Sequence, residues 1–302
     1  MPVTLIPFSR REFLRATVAA GAACWSVRAG GAAEDSPDPH RFALFSDTHV
    51  WAKREEMVRG ANMAANLTQT CREALEGARR PASVLVCGDC AYLSGESADY
   101  AVLVELLKPL RDRGVPIHLA LGNHDHRQRF WDALPADSED KRSEFAERHV
   151  TLVRAPRANW FILDSLDETN KTPGVLGDEQ RQWLAKSLDA FSNRPALVMV
   201  HHNPDERPKP GGLVDTAALF ELLVPRKHVK ALFYGHSHTW NVTQRDGLHL
   251  INLPPTAYVF ENSRPNGWVD VSLSETGARL QLNCLDPTHA QHRQVCELPW
   301  RA

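Results

Sequence analysis

Apolar residues in this chain come in short, almost unbroken runs at positions 42–45, 83–87, 115–120, 160–163, 196–200 and 230–234. Runs of this length, rich in β-branched and aromatic types, predict strands covered on both faces. Between them, residues 58–79, 97–113, 178–191 and 214–224 carry apolar positions at helical spacing. The pair Gly177-Asp178 precedes one of these, with Asp178 as candidate N-cap. After residue 235 the pattern changes. Residues 241–251 predict a hairpin turning at Asp246-Gly247, and residues 268–273 and 278–283 a second pair of strands. Strands alternating with helices and ending in an antiparallel sheet give an α/β layered domain. No internal repeat or low-complexity tract interrupts it, and one domain is the simplest organisation.

Composition removes several classes. The 302 residues are 43% hydrophobic and 24% charged with a net charge of −2, as in an ordinary globular protein. No apolar run approaches the roughly 20 residues that span a bilayer. Long basic clusters, which a nucleic-acid groove would need, are missing as well. Fourteen histidines are more than a core ordinarily holds, so their positions matter.

The N-terminus reads as an address. Ser9-Arg10-Arg11-Glu12-Phe13-Leu14-Arg15 precedes a mildly apolar stretch and the small-residue run Ala29-Gly30-Gly31-Ala32-Ala33. This resembles a twin-arginine signal peptide, here residues 1–33, with residues 34–302 as the mature domain. The resemblance implies the twin-arginine export machinery as a partner, a periplasmic location, and no stable membrane insertion after cleavage. Losing four arginines and one glutamate leaves 31 basic against 36 acidic side chains, or −5. Cys24 follows Gly21-Ala22-Ala23, a poor lipoprotein signal. Five cysteines then remain. Cys284 and Cys296 are close enough in sequence to be candidates for a disulfide, while Cys87 and Cys90 form a C-x-x-C.

The chemistry sits immediately after the strand-like runs, where α/β folds place their sites. In chain order these positions read Ser46-Asp47-Thr48-His49, Cys87-Gly88-Asp89, Gly122-Asn123-His124-Asp125, His201-His202-Asn203-Pro204 and Gly235-His236-Ser237-His238. Each piece is weak alone. The ordered series D-x-H, G-D, G-N-H-D, H-H-x-P, G-H-x-H resembles the calcineurin-like metallophosphoesterases closely. That resemblance covers essentially the whole mature chain, and it implies a βαββα sandwich, two mixed sheets flanked by helices, with a two-metal centre at the strand ends.

Carried over residue by residue, the resemblance implies that Asp47, His49, Asp89 and His238 hold one metal. Asp89 would bridge to a second held by Asn123, His201 and His236. Two cations about 3.5–4 Å apart need such a bridging anion, and imidazoles with hard oxygens suit Mn, Fe or Zn. His124 resembles the family's non-ligand histidine, which protonates the leaving oxygen, with Asp125 orienting its other ring nitrogen. The implied reaction is attack on a small-molecule phosphoester by a metal-bound hydroxide.

Within the superfamily the flanks are most similar to the bacterial class III cyclic nucleotide phosphodiesterases: Ile162-Leu163-Asp164-Ser165 and the Gln180 to Leu184 helix. An exported enzyme would scavenge phosphate rather than signal, so the expectation is a phosphodiesterase without a named substrate. Gly88-Asp89-Cys90-Ala91-Tyr92 also has the G-D-x-x-Y spacing of purple acid phosphatases. Tyr92 is therefore a candidate metal contact, and a phosphomonoesterase of that type an alternative. His202 and His126 are further candidates for substrate contact, and Asp164 is assigned to structure. A non-catalytic metal- or ligand-binding protein on the same fold is the alternative of another class, and a nuclease is disfavoured by the charge balance.

Overall fold

The computed structural model describes residues 36–77, 79–135 and 147–302. The expected twin-arginine segment, the cleavage expected near Ala33 and Cys24 lie outside the described residues. Every element falls within Asp38–Ala302.

Two six-stranded mixed sheets face one another. The first contains β1 (Asp38–Phe45), β2 (Pro81–Cys87), β3 (Ile117–Ala120), β10 (Gly267–Leu273), β11 (Gly277–Cys284) and β12 (Val295–Pro299), in the order β12-β11-β10-β1-β2-β3. The second holds β4 (Thr151–Arg154), β5 (Asn159–Leu163), β6 (Ala196–Val200), β7 (Val229–Tyr234), β8 (Asn241–Arg245) and β9 (Leu248–Asn252), ordered β4-β5-β6-β7-β9-β8. β1, β2 and β3 run parallel, as do β5, β6, β7 and β9.

The unbroken apolar runs follow from two-sided burial. Phe42 and Leu44 on β1 and Leu85 on β2 meet Trp160, Ile162, Met199 and Phe233 between the sheets. Trp160 fills the centre, its ring centroid 5.5 Å from Phe42 and 5.0 Å from Phe233. The alternate positions Ala43, Phe45, Val84 and Val86 pack outward. They meet α1 (Met63–Leu75) through Leu67 and Cys71, and α2 (Ser97–Leu106) through Tyr100 and Leu103. On the other side Phe161, Leu163, Val198 and Val200 pack against α5 (Asp178–Ala190) and α6 (Thr216–Leu223). Side chains that alternate faces along a strand, with both faces covered, leave no polar position in the run.

Several expectations need correction. Residues 97–113 divide into α2 and a short α3 (Lys108–Asp112), with Pro109 in its first turn, the one helical place where proline is tolerated. The first helix begins only at Met63, capped by the Asn62 side-chain Oδ1 accepting from Ala65 N at 2.8 Å, because residues 58–61 form a tight turn. Asp178 is not an N-cap but the first helical residue after Gly177, and the Asp215 carboxylate accepts from the Leu176 and Gly177 N–H groups instead. Edge strands β4 and β12 carried no legible pattern, since an edge with mixed polarity loses the apolar run. Cys284 and Cys296 are both free thiols. Cys296 lies opposite Leu280, four residues along β11 from Cys284. At about 3.3 Å per residue that offset far exceeds what a disulfide can close.

Candidate metal centre

The C-terminal ends of the parallel strands carry all five motif loops, and the backbone there is forced into unusual shapes. Asp47, His49, Asp89, His236 and His238 all have positive φ, between 42° and 68°. Non-glycine residues rarely accept that conformation, and its cost of roughly 1–2 kcal/mol per residue is tolerated where surrounding structure dictates it. Two glycines make the convergence possible. A Cβ on Gly88 would lie 2.6 Å from the His201 ring, and one on Gly122 would lie 2.2 Å from Asp89 Oδ1.

The side chains so placed form three overlapping groups: Asp47, His49 and His238; His49, Asp89 and His124; and Asp89, His201 and His236. Within each group, one ligand-type atom per residue lies within 4.8 Å of the others. Asp89 joins the two halves, its Oδ2 3.7 Å from His49 Nε2 and 3.3 Å from His201 Nε2. His238 Nε2 stands 3.5 Å from Asp47 Oδ1 and 3.1 Å from His49 Nε2.

Main-chain carbonyls fix which ring nitrogens face inward. Nδ1 of His201 donates to Cys87 O at 2.7 Å and Nδ1 of His238 to Tyr258 O at 2.6 Å. Nε2 of His236 donates to Gly211 O at 3.1 Å. A carbonyl only accepts, so these nitrogens carry the proton and the opposite ones present lone pairs to the cluster, the usual second layer of a metal site. Burial lowers the affinity of His49 and His236 for a second proton, keeping them in the neutral form a metal needs. Asn123 Oδ1 is buried without a hydrogen-bond partner. An acceptor left bare among lone pairs and carboxylates is satisfied by cations, and this donor set fits a dinuclear metal site.

Asp125 requires correction. It does not hold His124. Its oxygens accept from the N–H groups of Cys90, Ala91 and Gly122 and from the Tyr100 hydroxyl, which leaves nothing for an imidazole. The Nδ1 of His124 instead meets Leu93 O at 2.7 Å, while its backbone N–H donates to Asp89 Oδ1 at 2.8 Å. Adjacent residues in this tight loop point apart, so Asp125 ties loops together beneath the site. The ring of Tyr92 lies on Trp51, centroids 4.7 Å apart. His126 caps α4 (Arg127–Ala133), accepting from Arg129 N at 3.4 Å. His202 is buried behind the centre, with Nδ1 2.7 Å from Ser165 Oγ and its ring 4.7 Å from that of His236. Asp164 is structural, gripped by Arg127 at 2.7 Å and by the N–H groups of His149 and Leu166.

A cleft of about 370 Å³ opens above the centre, lined by His49, Asp89, Asn123 and His124 on its floor and by Tyr258 and Phe260 on one wall. The wall residues and the carbonyls of Leu93, Gly211 and Tyr258 had no signature in the sequence, because any residue type supplies a carbonyl.

The sequence pattern of the calcineurin-like phosphoesterase family matches residues 40–240. The 3',5'-cyclic adenosine monophosphate phosphodiesterase CpdA of Pseudomonas aeruginosa is 29% identical over 221 residues, 71% of this chain and 75% of the relative. The glycerophosphodiester phosphodiesterase GpdQ of Enterobacter lignolyticus is 27% identical over 265 residues, 85% of this chain and 87% of the relative. Among solved structures, a dimetal phosphatase from Danio rerio shares the fold with a TM-score of 0.66 at 15% identity, covering 87% of this chain and 100% of that one. The matched stretch takes in every motif loop from Asp47 to His238, and on that ground the chain belongs to the calcineurin-like phosphoesterase family and is a metal-dependent phosphoester hydrolase.

Proposed function

We propose that this chain is an exported phosphodiesterase with two metal ions sharing Asp89. The observation that carries the reading is that one buried carboxylate stands between the two halves of the cluster, 3.3 Å from His201 on one side and 3.7 Å from His49 on the other. Asp47, His49 and His238 would hold one ion, and Asn123, His201 and His236 the other. When bound, such a pair supplies Lewis-acid activation of the phosphoryl group and of a water molecule.

The protein's own part is placement and proton handling. The strained loops fix the ligand atoms, and the carbonyl-held rings keep their lone pairs inward. His124 lines the cleft, and with Nδ1 committed to Leu93 O its Nε2 is the nitrogen left to protonate the leaving oxygen. Preference for diesters rests on the relatives named as cyclic nucleotide and glycerophosphodiester phosphodiesterases. Export rests on the twin-arginine pattern at residues 9–15.

The test uses residues 34–302, stripped of metal and reloaded with Mn, Zn or Fe. Faster cleavage of bis-p-nitrophenyl phosphate than of p-nitrophenyl phosphate is the expected result; the reverse order overturns the diester preference. For export, changing Arg10 and Arg11 to lysine in the full chain should remove the protein from the periplasmic fraction. Unchanged periplasmic yield sinks that part.

A further inference from the structure

Arg59 sits where a turn would not choose it. The N–H groups and carbonyls of Val58 and Ala61 pair across Arg59-Gly60 at 2.9 Å in both directions, and the two central residues have φ of +50° and +79°. Two left-handed central residues make a turn that asks for Asn, Asp or Gly first, and arginine there is a local mismatch. Such mismatches mark positions held for another purpose.

The side chain lies against the aromatic wall of the cleft. Its guanidinium carbon lies 5.1 Å from the Phe260 ring centroid and 5.9 Å from that of Tyr258. Phe260 in turn stacks on His238, centroids 4.3 Å apart, and Tyr258 on His49 at 5.1 Å. One aromatic layer therefore separates the guanidinium from two residues of the metal cluster. Arg54 pairs with Glu105 and Arg264 with Glu261, whereas Arg59 forms no ion pair or hydrogen bond among the described residues.

The turn is also anchored. Trp51, Val58, Ala61 and Tyr92 pack on Met63, Ala257 and Tyr258. Ala52 N donates to Asp99 Oδ1 at 2.8 Å, and Asn62 Nδ2 to Arg54 O at 2.8 Å. A cation seated on an aromatic face keeps its in-plane N–H fork open for a carboxylate or phosphate, and a rigid mount spares the cost of ordering it.

We propose that Arg59 is a specificity-determining residue that binds a second anionic group, a carboxylate or phosphate on one ester arm of the substrate; this rests on the phosphodiesterase reading above. The preferred substrate is then a phosphodiester carrying a charge beyond the scissile phosphate. The ethyl, 2-carboxyethyl and 2-phosphonoethyl esters of p-nitrophenyl phosphate share a leaving group and differ only at that arm.

On the metal-loaded enzyme, kcat/KM for an anionic ester should exceed that for the ethyl ester by about tenfold or more, the scale of a charge-assisted hydrogen bond. In Arg59→Ala that ratio should fall to near one, and Arg59→Lys should restore part of it. Whichever anionic ester shows the larger preference identifies the group as carboxylate or phosphate. Calorimetry with diethylphosphinate and its carboxylated analogue reads the same contact without turnover. A ratio near one in the unaltered chain, or one unchanged in Arg59→Ala, overturns the proposal. If no diester is cleaved under any metal, the phosphodiesterase reading fails, while the phosphinate comparison still judges Arg59.

Discussion

The Tyr100 hydroxyl donates to Asp125 Oδ1 at 3.1 Å and accepts from His126 N at 2.7 Å, all three buried or partly buried beneath the metal cluster. Burial pushes the phenol well above its ordinary range, so it remains a donor at any working pH. Through Asp125 this pair joins the loops that bear Asp89 and Asn123. Tyr100→Phe should cost about 1–3 kcal/mol of stability, the cost of an orphaned buried group, read as a lowered Tm. Asp125→Asn should weaken metal binding by roughly 10–100-fold, as loss of an outer partner does. If Asp125→Asn moved only the pH profile of kcat and left metal affinity intact, the carboxylate would be acting on His124 after all.

Asp89 and His124 should separate in a metal assay. Asp89→Ala removes the carboxylate between the two halves of the cluster and should abolish activity and lower the metal content of both positions. His124→Ala should lose most turnover, by roughly 10²–10⁴-fold if it is the acid, while keeping both ions. His124 also falls within ligand distance of His49 and Asp89, so elemental analysis of this variant decides its role. Loss of one ion would make it a ligand.

Asp164 should matter to folding and not to chemistry. Its carboxylate is fully buried and paired with Arg127 and two backbone N–H groups. Asp164→Ala leaves a partly buried guanidinium without its partner and should cost about 3–5 kcal/mol in denaturant unfolding. kcat of the folded fraction should stay near its original value.

The buried thiols should be inert. Burial pushes Cys71 up to about 12 and Cys284 up to about 11, and Cys87 also well above its ordinary value. At pH 8 such groups hold little thiolate. In residues 34–302, native protein should react with a thiol reagent at Cys296 alone, the one cysteine that is not buried, and denatured protein at all five. Only three reactive thiols after denaturation without reductant would reveal a disulfide that the strand register forbids.

The sequence by itself determined the strand–helix alternation, the 241–251 hairpin and the identity of the clustered side chains from Asp47 to His238. It did so because those features are written in side-chain type. Two-sided burial demands unbroken apolar runs, and metal ligation demands imidazole, carboxylate or amide at the strand ends. Tertiary structure alone decided what lies around them. The carbonyls of Cys87, Gly211 and Tyr258 that orient the ligand rings, and that of Leu93 behind His124, come from residues of no distinctive kind, 20 to 114 positions away in the chain. Asp125 turned away from its neighbour because three backbone N–H groups and Tyr100 meet it in space. The aromatic wall comes from a loop that carries no periodicity, and Arg59 from a turn that cuts into the helical spacing of 58–79. A side chain's chemistry is local to the sequence, whereas its partner is set by how the chain returns.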